Sequence, residues 1–234
     1  MGQFTWCGYK WNTQERWGKI HPDRSYCWYD DNCVSVDEEG NLRFICKYSP
    51  AAVEHEGKTY YPKYGIGLVS SDKSNPRFKY GAYTWVAKLP KGKNLWPALW
   101  MWSFDSWPPE IDVVEAWTNG CGGYYNFPFQ WDVTTNLHDP NAKYNMAKKV
   151  SIFKMPDPTE NFIEYKLVWM PDFLDFYYNG KRIRTIDDPK LMKYLNENTK
   201  DGMNIIMNNH ITEKYDQKTA SEPLIVKSFS YNAY

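Results

Sequence analysis

The chain has no apolar run approaching the roughly 18 residues that a membrane-spanning helix needs. Its start, Met1-Gly2-Gln3-Phe4, lacks the basic residues and apolar stretch of a secretory signal, and Trp at position 6 breaks a myristoylation motif. There is no surplus of either charge: Lys plus Arg and Asp plus Glu number 28 each, so neither nucleic acid nor a membrane surface is an expected partner. Cysteine is scarce. The five residues Cys7, Cys27, Cys33, Cys46 and Cys121 are odd in number and include no Cys-x-x-Cys pair, which indicates neither a zinc site nor a complete disulfide framework. Cys27 and Cys33 are close enough in sequence to link, with free buried thiols an equal alternative. Helical periodicity is nearly absent as well; Asp187 to Lys200, with Leu191, Met192, Tyr194 and Leu195, is the one stretch that reads as a helix, of about two turns.

What the chain does have is aromatic side chains, 18% of 234 residues, including 12 Trp and 19 Tyr. Most of these rings belong in a core, and a minority is left to line a binding surface. The passages between turn signals alternate apolar and polar residues. Cys33–Asp37 and Asn41–Cys46 flank Glu38-Glu39-Gly40, and Phe162–Asp172 with Phe173–Tyr178 leads through Asn179-Gly180, a type I′ turn signal, into Lys181–Ile186. Tyr64–Ser71, Phe78–Pro90, Leu95–Trp102, Trp131–Asp139, Met203–His210 and Leu224–Tyr231 read as further strands. Such a pattern at this length predicts one domain, residues 1–234, folded as an all-β sandwich.

One stretch carries chemistry. Trp107-Pro108-Pro109-Glu110-Ile111-Asp112-Val113-Val114-Glu115-Ala116-Trp117 reads as a strand from about Glu110, with two prolines before it and Asn119-Gly120 after it. In a regular strand Glu110 and Asp112 share a face and Glu115 falls on the other. One extra residue at Val113-Val114, a β-bulge, returns Glu115 to the acidic face and keeps the valines on the core side. Glu110 and Glu115 then have Cα atoms about 13 Å apart at ~3.3 Å per step, and inward-leaning side chains on a concave sheet bring their carboxyls to about 5 Å, the separation of a retaining glycosidase. Three acids on one face cannot all ionise cheaply, so one carboxyl stays protonated as a general acid must. A merely solvated acidic strand leaves the surrounding Trp96, Trp100, Trp102, Trp107 and Trp117 unexplained, whereas carboxylates beside aromatic platforms make a carbohydrate cleft.

Glu-Ile-Asp-x-x-Glu preceded by Leu95-Trp96-Pro97-Ala98-Leu99-Trp100 resembles glycoside hydrolase family 16, the group of laminarinases, lichenases, agarases, porphyranases and carrageenases. The resemblance runs from about Val34 to Tyr231. It implies a concanavalin A-like β-jelly-roll sandwich of two antiparallel sheets with an open concave cleft. It assigns Glu110 as nucleophile, Asp112 as its assistant and Glu115 as acid/base, and places Tyr64–Ser71 and Phe78–Pro90 as a groove-lining pair. Trp96, Trp107, Trp117, Trp131, His138 and Asn208 are the candidate substrate-binding residues. Lys227 stands where many relatives carry an aspartate that supports a structural calcium, so no metal is expected, and the carboxyl chemistry needs no cofactor. The expected partner is a polysaccharide or oligosaccharide, acted on by a monomer. A secreted or cell-surface location is implied, which with no signal in these residues would mean a trimmed start.

Between substrates the chain says less. A reader of sulfated galactans wants arginines at the cleft, and of Arg16, Arg24, Arg43, Arg77, Arg182 and Arg184 none lies between Trp85 and His138. That favours an internal linkage of a neutral β-1,3- or mixed β-1,3-1,4-glucan over a β-galactan of the agarase, porphyranase or carrageenase type. A non-catalytic carbohydrate-binding jelly roll is the reading from another class; it has no use for three aligned acids.

Overall fold

The computed structural model describes residues 2–116, 132–138, 148–151 and 156–234, with the backbone alone for 132–136, 138 and 148–151. Two antiparallel sheets face each other. One runs in the order Gln3–Trp6, Tyr9–Asn12, Tyr64–Ser71, Met203–Ile211, Leu95–Ser103, Glu110–Glu115, Asp132–His138 and Lys148–Ser151, with Cys27–Tyr29 and Cys46–Tyr48 pairing on Tyr64–Ser71. The other runs Lys181–Ile186, Leu174–Tyr178, Ile163–Trp169, Gly81–Lys88, Leu224–Ala233, Leu42–Phe44 and Val34–Val36. This is the jelly-roll sandwich expected from the strand pattern.

The alternation of each strand explains which face it buries. In Leu95–Ser103, Leu99 and Met101 enter the core between the sheets, while Trp96, Ala98, Trp100 and Trp102 face the opposite side. Ile111, Val113, Val114, Ile205 and Met207 join that core from the same sheet and meet Trp85, Tyr165, Leu167, Trp169, Phe176 and Tyr178 from the other. Asn179 and Gly180 both adopt positive φ, 47° and 72°, as a two-residue type I′ turn requires. The one α-helix among the described residues is Pro189–Glu197; Asp188 caps it by accepting from the backbone N–H groups of Lys190 and Leu191, and no helix there is long and apolar enough to cross a membrane.

One expectation changes. Tyr64–Ser71 and Gly81–Lys88 are not a groove-lining pair: the first lies in the sheet that carries the acids, and the second sits in the opposite sheet between Ile163–Trp169 and Leu224–Ala233. Tyr83 and Trp85 are fully buried there. The described cysteines are all free, Cys27, Cys33 and Cys46 being buried.

A second apolar cluster covers part of the acid-bearing sheet on its cleft side. Leu68, Trp102 and Ile206 from that sheet pack with Cys27, Tyr29, Cys46 and Tyr215, and Trp17 and Tyr26 lean against them. The sequence before Cys27, read as an entry loop with short strands, therefore folds over the sheet and becomes a wall.

Candidate active site

The bulge is where the spacing puts it. From Asp112 to Glu115 the chain advances three residues, while its neighbours advance two, from Trp100 to Ala98 on one side and from Asn136 to Thr134 on the other. Val113 and Val114 are both fully buried as a result. An extra residue leaves a backbone carbonyl out of the ladder, and here the Tyr178 hydroxyl of the opposite sheet donates to the Val113 carbonyl at 2.7 Å. Burying that carbonyl unpaired would cost about 1–3 kcal/mol, so the bulge is held from beneath by the other sheet.

Glu110, Asp112 and Glu115 consequently line one cleft, of about 660 Å³. Asp112 is only 2% exposed, between the half-buried Glu110 and Glu115. Each glutamate is oriented by an indole: Trp107 Nε1 donates to Glu110 Oε2 at 2.5 Å, and Trp96 Nε1 donates to Glu115 Oε1 at 3.1 Å. Trp107 is itself 58% exposed, on a turn in which the Ser106 hydroxyl and the Tyr194 hydroxyl both donate to the Pro108 carbonyl. Trp100 Nε1 donates to Asn208 Oδ1 at 2.7 Å, and Asn208 Nδ2 returns a bond to the Trp96 carbonyl at 3.3 Å. Trp96, Trp107 and Asn208 thus line the same cleft as the acids. The N–H groups of Trp96 and Trp107 are spent on carboxylates; acting as sugar platforms alone would not require that.

His138 stands opposite Glu110 in the ladder, its side chain outside the described residues. Trp117, Trp131 and residues 121–129 also lie outside them. Trp102 is buried in the cleft-side cluster and Trp100 is half-buried on the cleft floor. The floor continues from Glu115 through Ala98 and Asn208 to Leu68, one residue from each successive strand.

The walls come from residues that the strand pattern did not single out. Arg16, Trp17, His21, Asp23 and Arg24 all line the cleft. Arg16 lies over the Trp102 ring, 3.9 Å from its centroid, and Arg24 lies over the Trp96 ring at 4.5 Å. Two arginines therefore reach the cleft, against the expectation drawn from their absence between Trp85 and His138; they arrive through space from the N-terminal segment. His210 forms the floor's edge against Trp96, with ring centroids 5.5 Å apart. Its Nδ1 lies 2.8 Å from the Ile211 backbone nitrogen and 2.7 Å from the Ile211 carbonyl oxygen, and its Nε2 lies 3.6 Å from Cys27 Sγ. Burial lowers the His210 pKa to about 3 and pushes the Cys27 thiol up, so this buried pair is neutral wall rather than an ion-pair nucleophile.

A fourth carboxyl sits behind the wall. Glu15 is 1% exposed, and its Oε2 accepts from Asn204 Nδ2 at 3.4 Å. Among the described residues its Oε1 has no hydrogen-bond partner; the Trp102 indole N–H lies beside the carboxyl without hydrogen-bond geometry. Burial first, and the charge of Glu110 in addition, raise its pKa to about 8, against the opposing pull of Arg16. Its charge-neutral burial has no signal in the sequence, where Gln14-Glu15-Arg16 reads as surface.

A concave sheet carrying a row of carboxyls in an indole-lined cleft is the architecture of a carbohydrate-cleft β-sandwich. The chain belongs to the glycosyl hydrolases family 16, whose model matches residues 26–223. It is similar to a beta-1,3-glucan-binding protein of Penaeus monodon, 31% identical over 123 residues that make up 49% of this chain and 33% of that protein. A glucan endo-1,3-beta-glucosidase A1 of Niallia circulans is 31% identical over 130 residues, 52% of this chain and 18% of that protein. The chain thus spans a third or less of the length of these relatives. Among solved structures, the laminarinase catalytic domain of Thermotoga maritima MSB8 superposes with a TM-score of 0.67 at 21% identity, covering 89% of this chain and 83% of that one.

Proposed function

We propose that the protein is a retaining endo-β-glycosidase that hydrolyses internal linkages of a β-glucan, β-1,3 or mixed β-1,3-1,4. The observation that carries this reading is the bulge-phased row of three carboxyls, with an indole N–H on each glutamate. A hydrogen bond donated to Glu110 favours its ionised form, as a nucleophile needs. Glu115, oriented by the Trp96 indole N–H on its Oε1, is the carboxyl that gives its proton to the leaving sugar oxygen. In the first step Glu110 forms a bond to the anomeric carbon, the glycosidic C–O bond breaks, and the Glu115 proton goes to the departing oxygen. In the second, water gives a proton to Glu115 and its oxygen to the anomeric carbon, releasing Glu110; one water is consumed and no cofactor is needed. Buried Asp112 shares its charge state with Glu110 and helps release it as the glycosyl bond forms. The glucan preference is supported by the Niallia circulans relative. The Penaeus monodon relative supports a second reading, a glucan-binding module without turnover.

A reducing-end assay on β-glucans and algal galactans separates these readings. Release of ends from β-1,3- or mixed-linkage glucan, with the product first formed as the β-anomer by NMR, is the expected result. Cleavage of galactan alone moves the substrate to the agarase class, α-anomeric product removes the retaining mechanism, and binding without product establishes the module.

A further inference from the structure

Residues 13–25 lie outside the family match yet supply two guanidiniums to the cleft, and the two are not equivalent. Arg16 donates to the Phe104 carbonyl at 2.9 Å, so part of its fork is already used. Arg24 lies over the Trp96 ring, and among the described residues its guanidinium has neither a salt bridge nor a hydrogen-bond acceptor. The groups packed round it are His21, Cys27, Tyr29 and His210. The two histidines have lowered pKa values, by burial first and then by Arg24 itself, and the thiol and phenol are neutral at pH 7. Asp23, next in the chain, is exposed at the rim and is the nearest carboxylate in sequence.

A guanidinium has five N–H donors in a planar fork, and stacking on an indole uses its face while leaving its edges free. The partner that fits the edge is a trigonal or tetrahedral oxyanion held through two parallel bonds. Trp96, the ring beneath Arg24, donates to Glu115, so the cation stands one side chain from the proposed acid/base. We propose that Arg24, stacked on Trp96, is a subsite for an anionic substituent, a sulfate ester or a carboxylate, on a sugar bound at the Glu115 end of the cleft. This rests on the glycosidase reading and narrows its substrate from a neutral glycan to one bearing an oxyanion at that position. Toward the Glu110 end of the cleft carboxylate charge repels the same group, so the subsite selects where along the chain the charge can lie.

The test uses β-1,3-gluco-oligosaccharides prepared in neutral, 6-O-sulfated and C6-oxidised forms, titrated calorimetrically onto the whole chain carrying Glu110→Gln, which removes the need for turnover. At low ionic strength one charged form is expected to bind about tenfold more tightly than the neutral one, and the form that wins distinguishes sulfate from carboxylate. Adding Arg24→Gln brings the charged-to-neutral ratio close to one, and Arg24→Lys, which keeps charge but not the fork, falls between; circular dichroism confirms that each variant folds. Neutral oligosaccharide binding as well as both charged forms overturns the subsite. If no form binds, the glucan reading fails, and the anion site is then decided by nitrogen NMR of the Arg24 side chain. A saturable shift with sodium sulfate, absent with sodium chloride at matched ionic strength, supports the site, and no shift overturns it.

Discussion

The floor and the rim of the cleft obey different rules. Along the floor, Glu110, Asp112, Glu115, Trp96, Ala98, Trp100 and Asn208 are placed by strand period and ladder register, so each position follows from its neighbour. The rim, from Glu15 to Arg24, has no repeating geometry beyond the short turn Pro22–Arg24. It is held by contacts that cross the fold: the Ser70 hydroxyl to the Gln14 carbonyl, Arg16 to Phe104, Trp17 against Trp102 with ring centroids 5.1 Å apart, and Tyr26 to the Ile211 carbonyl. The chemistry stands on the regular part and is bounded by the irregular one. Rigid strands hold carboxyls to the tolerance catalysis needs, while a segment free of register can change its side chains without moving them.

The comparison breaks most sharply at the floor. Glu110→Gln removes the proposed nucleophile while retaining its shape, and turnover of polysaccharide should fall at least ~1,000-fold with the melting temperature little changed, measured by reducing ends and calorimetry. Glu115→Ala should cost roughly 100-fold or more on polysaccharide and much less on an aryl glycoside, whose leaving group needs no proton; azide should accelerate that variant. Interchanged behaviour of the two variants would reverse the roles of the glutamates.

At the rim the expected effect is on stability, and its sign is unusual for a carboxyl. The folded protein holds the Glu15 proton up to about pH 8, whereas the unfolded chain releases it near the ordinary glutamate value. Between those two pH values the native state binds more protons than the unfolded state, so this group makes stability fall as pH rises. Glu15→Gln, neutral at every pH, should therefore raise stability by up to about 3 kcal/mol at pH 7 and have little effect near pH 4. Parallel melting curves across pH for wild type and variant would contradict a buried, protonated Glu15.

The smallest expected effect probes the joint between the sheets. Tyr178→Phe leaves the Val113 carbonyl without its donor and should cost about 1–2 kcal/mol, seen as a lower denaturation midpoint. Activity should fall with it, since the bulge phases Glu115; stability lost with activity intact would mean that the strand holds its own bulge.

The acid-bearing strand was legible because a period of two leaves no other way to put Glu115 on the face of Glu110 and Asp112 than an added residue at Val113-Val114. The helix, the Asn179-Gly180 turn and the two-sheet class were legible for the same reason, being set by local pattern and by backbone preference. Which sheet a strand joins was not: Gly81–Lys88 has the same alternation as its neighbours in sequence, and only its pairing with Ile163–Trp169 and Leu224–Ala233 buries Tyr83 and Trp85. Nor was the rim. The aromatic residues from Trp6 to Trp28 carry no period from which a face can be read, and the meeting of Arg24 with Trp96 or of Tyr178 with Val113 joins residues 72 and 65 positions apart. Local preference acts over a few residues and fixes the elements; long-range burial and hydrogen bonding, which no short window contains, decided what surrounds the acids.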